Sequence, residues 1–134
     1  MQRNQKSFFL LVFLLTTLVG YGAKQSKKST EPEPLLAHAP ASAAQLANPY
    51  ANQPKAAVMA GKNLYQRYCA QCHGRDGSGR GKAPDLHSST IQEVAPGTLF
   101  WYLKNGNLKA GMPAWSSLPD QQLWQLVTFL KTTK

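Results

Sequence analysis

The chain has 134 residues, with 15 Lys and Arg against 6 Asp and Glu and a formal net charge of +9 at pH 7. This length allows one domain with extensions and leaves no room for several domains. The basic balance is compatible with an acidic protein partner or with nucleic acid. The export signal described next argues against nucleic acid.

The first 23 residues have the order of a secretory signal. Two basic residues come first, residues 8–19 are apolar or threonine, and the small residues Gly20 and Gly22 follow. The apolar run is shorter than the ~20 residues that span a bilayer. We therefore expect export to the bacterial periplasm with cleavage after Gly22. An uncleaved leader that anchors the chain in the cytoplasmic membrane is the alternative.

Residues 24–55 have the composition of a linker. Lys, Ser, Pro, Ala, Gln and Glu dominate, large apolar residues are sparse, and five prolines interrupt any helix. We expect this segment to be disordered. It would tether the following domain to the membrane if the leader stays attached. The alternative is that the segment is a tail without a function, left after the leader is cleaved.

Residues 56–134 predict an all-α domain, because strand-period patterns are weak throughout this segment. A segment of about 80 residues is small for a self-sufficient hydrophobic core. Its size therefore favours a cofactor that adds buried apolar surface. Apolar residues at three- and four-residue intervals predict three main helices, over residues 57–70, 98–105 and 119–134.

Local signals predict where these helices begin and end. Thr98 is the expected N-cap of the second helix, and Gly106 is the expected left-handed residue after it. Pro119 suits the first turn of the third helix. A short helical turn is predicted over residues 89–93, where a serine and a glutamine have the spacing of a capping box.

The pentad Cys69-Ala70-Gln71-Cys72-His73 contains both cysteines of the chain. Two thiols three positions apart can each add to a vinyl group of one haem, and the adjacent imidazole can reach the iron. The pattern is therefore typical of a c-type haem attachment site. A structural zinc site would need four protein ligands, and a redox dithiol would need a βαβ context. These two interpretations remain as alternatives.

Met112 is the predicted second axial ligand of the iron. A haem iron with one histidine ligand can take a methionine, a second histidine or no protein group at its other position. Met112 lies in a loop about forty residues beyond His73, where Gly111 permits close backbone approach and Pro113 favours an extended conformation. A methionine that only fills the core is the alternative. Met59 is too close in sequence to His73 to reach the opposite face of the haem easily. His38 lies in the expected linker. His87 is the best substitute for Met112 as the ligand.

From residue 56 to the C-terminus, the chain resembles the small class I bacterial cytochromes c. The resemblance rests on a helix-packing pattern, the haem motif, a glycine-rich loop and an axial-methionine loop: Gly61 and Tyr65 with Leu126 and Phe129; Cys69, Cys72, His73 and Gly74; Gly79, Gly81, Pro84 and Leu86; and Asn105-Gly106 with Gly111-Met112-Pro113. It implies a class I cytochrome c fold around one covalent haem c. The implied haem-binding residues are Cys69, Cys72, His73, Pro84, Leu86 and Met112.

The same resemblance implies roles for these residues. His73 and Met112 would bind the iron, and the Pro84 carbonyl would accept a hydrogen bond from the His73 imidazole. An iron bound on both sides has no open position for a substrate. We therefore expect a one-electron carrier, not an enzyme, that serves extracytoplasmic dehydrogenases or terminal oxidases. A haem subunit of such a complex is the alternative, and a haem sensor or peroxidase with a labile sixth ligand is a further one.

The predicted domain is basic in its own right. From Lys55 to Lys134, ten Lys and Arg face four Asp and Glu, a formal charge of +6. Redox partners with acidic docking surfaces should therefore associate faster, and salt should slow this association. Lys104 and Lys109 flank the Met112 loop and are candidates for the docking surface. The alternative is that they are ordinary solvated charges. We expect a monomer or a complex subunit.

Overall fold

The computed structural model describes residues 36–133. The predicted leader, residues 1–23, and the first part of the predicted linker lie outside this range. Five α-helices follow one another: α1 (Lys55–Tyr68), α2 (Ala70–His73), α3 (Ser89–Glu93), α4 (Pro96–Asn105) and α5 (Asp120–Leu130). Single turns of 3-10 helix span Ala41–Gln45 and Leu108–Ala110.

The predicted all-α fold class is confirmed. In the described part of the chain, residues outside the helices form two isolated bridges and no strand. Among the same residues, none of the helices has the length and apolarity needed to cross a membrane. The main helices lie where the apolar periodicity predicts them, so that periodicity reflects burial against a common core.

Two helix ends differ from the predictions. α4 begins at Pro96 and not after Thr98, because the fixed φ of proline and its missing N–H suit the first helical position. Thr98 consequently lies buried inside the helix. Gly106 follows α4 with φ 71° and ψ −172°, which is a positive φ outside the left-handed helical region that was predicted.

The predicted helical turn over residues 89–93 is present as α3, but its predicted capping box is wrong. Ser88 precedes the helix, and its side chain makes no capping hydrogen bond. The Gln92 amide instead donates to the carbonyls of Leu86 at 2.8 Å and Leu130 at 3.0 Å. Gln92 therefore connects α3 to the loop before it and to the end of α5.

The crossing of α1 and α5 forms the centre of the fold. A Cβ atom on Gly61 would overlap the Gln125 carbonyl oxygen, so only glycine lets the two backbones come this close. One turn later, the ring of Tyr65 lies 5.4 Å from that of Phe129, centroid to centroid. Leu126 is fully buried beside this contact. The crossing holds the end of α1, and with it the cysteine motif, in place.

Residues 36–50, which we call the amino-terminal strap, pack against the helices. Ala43 is buried in the strap, and a Cβ on Gly97 of α4 would overlap its carbonyl oxygen. The Asn48 amide donates to the Thr128 hydroxyl of α5 at 3.1 Å. The predicted boundary between linker and domain, at residues 55 and 56, therefore falls inside the packed residues. Small side chains dock closely here, which composition alone does not reveal.

The Gly61 contact leads to a test of the helix crossing. Changing Gly61 to Ala should lower the free energy of unfolding by about 1–3 kcal/mol or more, because the new methyl group overlaps the α5 backbone. Alanine is the better helix former by about 1 kcal/mol, and we expect the cost of the overlap to exceed this gain. Denaturant unfolding measures the change. Lys62→Ala, at an exposed position on the same helix, is the control and should change stability little; equal effects of the two variants would contradict the crossing.

Candidate functional site

A cavity of about 670 Å³ opens among the cysteine motif, the glycine-rich loop, α4 and the Met112 loop. Its volume lies within the roughly 300–1,000 Å³ typical of cofactor and small-molecule pockets. The lining includes many apolar and aromatic side chains. The six residues that the cytochrome resemblance implies as haem-binding all line it: Cys69, Cys72, His73, Pro84, Leu86 and Met112. Residues that are far apart in the chain thus meet around one space.

The cysteine motif occupies the short helix α2 and the residue before it. The Cys69 amide donates to the Tyr65 carbonyl at 2.8 Å, which continues the hydrogen bonding of α1. The amides of Cys72 and His73 both donate to the Cys69 carbonyl, at 3.1 and 3.0 Å. Cys69 is partly buried and Cys72 is exposed. One helical turn therefore brings two sulfur atoms and one imidazole to the cavity.

The surroundings of Cys69 favour uncharged sulfur. Burial, and to a smaller extent the neighbouring Cys72, raises the pKa of the Cys69 thiol to about 12. Reactive cysteines of redox dithiols act as thiolates and have lowered pKa values, so the raised pKa of Cys69 does not favour a redox dithiol. Within residues 36–133, no three His, Cys, Asp or Glu side chains cluster to hold a metal ion. A neutral thioether fits the position of Cys69 better.

The imidazole of His73 is oriented by a backbone carbonyl. Its Nδ1 lies 3.1 Å from the carbonyl oxygen of Pro84, the contact that the cytochrome resemblance implies. A carbonyl can only accept a hydrogen bond, so Nδ1 carries a proton, and in the neutral imidazole Nε2 then has the free lone pair. That is the tautomer a metal ligand needs, with its second nitrogen held by a backbone acceptor.

The glycine-rich loop brings the Pro84 carbonyl to His73. The Gly79 amide donates to the His73 carbonyl at 2.9 Å, and the Leu86 amide donates to the Gly77 carbonyl at the same distance. Gly79 has a φ of 82°, and a Cβ there would lie 2.6 Å from the Ala83 carbonyl oxygen. The loop therefore folds back on the cysteine motif at a position that only glycine fills.

Tyr65 links α1 to the residue after the cysteine motif. Its hydroxyl donates to the Gly74 carbonyl at 2.6 Å, and its side chain lines the cavity although only 1% of it is exposed. Burial first, and then Cys69 and Asp76, raises the pKa of the phenol to about 12. The sequence predicts helix packing for Tyr65 but not this hydrogen bond, because the helical pattern indicates burial and not a specific partner.

The Met112 loop is closed by a short antiparallel bridge. Asn107 and Met112 exchange two backbone hydrogen bonds of 2.9 Å. A Cβ on Gly106 would lie 2.8 Å from the Met112 carbonyl oxygen, whereas a Cβ on Gly111 would meet nothing within 4 Å. The close backbone approach predicted at Gly111 therefore occurs at Gly106. Gly111 instead takes a left-handed conformation with φ 82°.

The other candidate ligands lie away from the cavity lining. Met59 is on α1 with 56% of its surface exposed. His87 pairs with Asp85, its Nδ1 2.7 Å from the carboxylate oxygen. His38 lies in the strap and is exposed. Of the four candidates named from the sequence, Met112 is the one whose side chain the fold brings to the cavity.

Several lining residues were not predicted from the sequence. The rings of Tyr68 and Trp115 lie 5.2 Å apart at the cavity, where they contribute apolar surface. Arg80 and Lys82 bring positive charge to the lining. Lys104, a candidate for the docking surface, pairs with Asp120 of α5 at 2.8 Å. Neither Lys104 nor Lys109 lines the cavity.

One comparison with known proteins identifies a family. A family model described as cytochrome C oxidase, cbb3-type, subunit III matches residues 56–130, more than half of the chain. The matched range contains all six predicted site residues and ends with the last residue of α5. No curated protein matches the chain at a significant level.

The two glycines of the Met112 loop give a matched test of its geometry. Both have a positive φ, in regions that residues with a Cβ rarely adopt, so each change to alanine should cost roughly 1–3 kcal/mol of unfolding free energy. Gly106→Ala should cost about 1–3 kcal/mol more, because the new methyl group also overlaps the Met112 loop. Denaturant unfolding of the two variants provides the measurement. Equal losses would show that Gly106 does not make the close approach.

Proposed function

The chain belongs to the family of c-type cytochrome domains described as cytochrome C oxidase, cbb3-type, subunit III, and from that premise we propose that it is a one-electron carrier with His and Met ligands. Family membership indicates a class I cytochrome and haem-based electron transfer. The proposal adds that one haem c is held covalently through Cys69 and Cys72. It also adds that His73 and Met112 bind the iron and that the protein catalyses no reaction of its own.

The observation that carries the proposal is the composition of the cavity lining. Two cysteines, an oriented histidine and a methionine line the same pocket, together with Pro84 and Leu86. This is the donor set that a covalently attached haem with His and Met ligands requires. The apolar and aromatic lining suits the porphyrin ring, and the cavity volume is within the usual range for a cofactor.

A haem bound here supplies an iron that gains or loses one electron. The residues around it determine how readily it does so. The Pro84 carbonyl fixes the imidazole of His73, a contact that raises the basicity of a ligand. Met112 as a ligand would raise the reduction potential and leave no open position for a substrate. Buried apolar side chains such as Leu86 and Leu99 line the pocket and offer water no hydrogen-bond partner.

The charge distribution supports a partner with an acidic docking surface. Arg80 and Lys82 line the cavity and are exposed, so they offer positive charge next to the redox centre. Such charges speed the association with an acidic surface, and salt weakens their effect. We place this exchange outside the cytoplasmic membrane, in the bacterial periplasm, because the first 23 residues have the order of an export signal.

The family description also favours a second role, as a haem subunit bound permanently in an oxidase complex. The two roles share the same redox chemistry and differ in the lifetime of the partner contact. The mass of the native protein extracted from its source cell separates them. A free carrier should have the mass of one chain with its haem, whereas a subunit should be found at the mass of the whole complex.

Replacing Met112 tests the proposed iron ligand. Met112→Ala in the haem-loaded protein should abolish the long-wavelength absorption band that marks methionine sulfur on ferric haem. It should also let the reduced protein bind carbon monoxide readily, because one iron position becomes open. Met59→Ala is the matched control, since Met59 is exposed and lies outside the cavity lining. Retention of the band in Met112→Ala would contradict the assignment.

A further inference from the structure

The amino-terminal strap, residues 36–50, precedes the matched family domain but reaches its cavity. Leu36 lines the cavity and packs against the buried core. Two residues later, the backbone N–H of His38 donates to the Tyr102 hydroxyl at 3.0 Å. Tyr102 is 4% exposed and also lines the cavity. The strap therefore contributes one side chain to the pocket and holds a second.

We propose that the strap forms one wall of the haem pocket. In this proposal, Leu36 lines the pocket and keeps water away from the haem. This inference rests on the proposed function, because it assigns a role towards the proposed haem. The segment that composition identifies as a linker would then take part in setting the reduction potential.

The strap is held at separate points along its length. Near its start, His38 contacts Tyr102 of α4. In its middle, the Ala43 carbonyl lies so close to Gly97 that any Cβ there would overlap it. Near its end, the Asn48 amide donates to the fully buried Thr128 of α5. Contacts spread in this way fix a segment better than one contact would.

A physical consequence for the redox centre follows. Burial and the local dielectric are among the means by which a protein sets a haem potential. Oxidised haem iron carries one more positive charge than reduced iron, and water stabilises that extra charge. An apolar Leu36 in the lining therefore favours the reduced state. A polar side chain at this position would admit water and lower the potential.

Four variants of the full-length, haem-loaded protein test the proposal by redox titration. Leu36→Asn places a polar group of similar size in the lining, and Leu36→Met keeps the position apolar. Ala37→Asn introduces the same polar side chain at the next residue, which is exposed and outside the lining. Gly97→Ala dislodges the strap without altering a lining side chain. Because alanine is the better helix former, α4 itself should persist.

We expect Leu36→Asn and Gly97→Ala to have lower midpoint potentials than the wild type, while Leu36→Met and Ala37→Asn stay close to it. Protease cleavage within the strap should accelerate in Gly97→Ala, a readout that does not depend on the haem. Equal potentials in all haem-loaded variants would overturn the role of the strap and leave the carrier proposal standing. The role of the strap would also be overturned if the midpoint potential of Ala37→Asn shifted as much as that of Leu36→Asn. The same holds if protease cleaved the strap of Gly97→Ala no faster than that of the wild type. A wild-type protein without haem would overturn both proposals.

Discussion

The hydrogen bond between His73 and the Pro84 carbonyl is the interaction on which the site depends. It fixes which ring nitrogen carries the proton and therefore which one can bind a metal. To place that carbonyl, the loop between the two residues must turn back sharply, and Gly79 allows it to do so. Tyr65 then ties the start of the loop to α1 through Gly74. Gly79 thus serves the orientation of one imidazole.

The rest of the fold holds that imidazole in position and forms the opposite wall of the cavity. The crossing of α1 and α5 at Gly61 holds the cysteine motif from one side. On the other side, Gly106 lets the Met112 loop approach the end of α4, and the Trp115 amide donates to the Leu103 carbonyl at 2.9 Å. Because the cavity lining is largely apolar, a cofactor buried there would add apolar contact to the core. Cofactor binding and folding are therefore expected to be coupled.

Much of this could be predicted from the sequence, because the decisive signals are local. The cysteine motif is a contiguous pentad, and helix periodicity follows from the burial of one face. Contacts between distant segments were harder to predict. Gly106 and Gly111 look alike in sequence, but only the fold shows which of them meets another backbone. Likewise, the proline-rich composition of residues 24–55 predicts a linker, although Ala43 and Asn48 dock on helices that follow much later.

The central claim is that Cys69 and Cys72 carry one haem through thioether bonds. The most direct test is the mass and visible absorbance of the protein, isolated from its source cell, after full denaturation in acidified organic solvent. The account predicts that the polypeptide keeps the mass and colour of one haem and that neither cysteine reacts with a thiol-alkylating reagent. Haem released into the solvent, with two alkylated cysteines on a bare polypeptide, would contradict it.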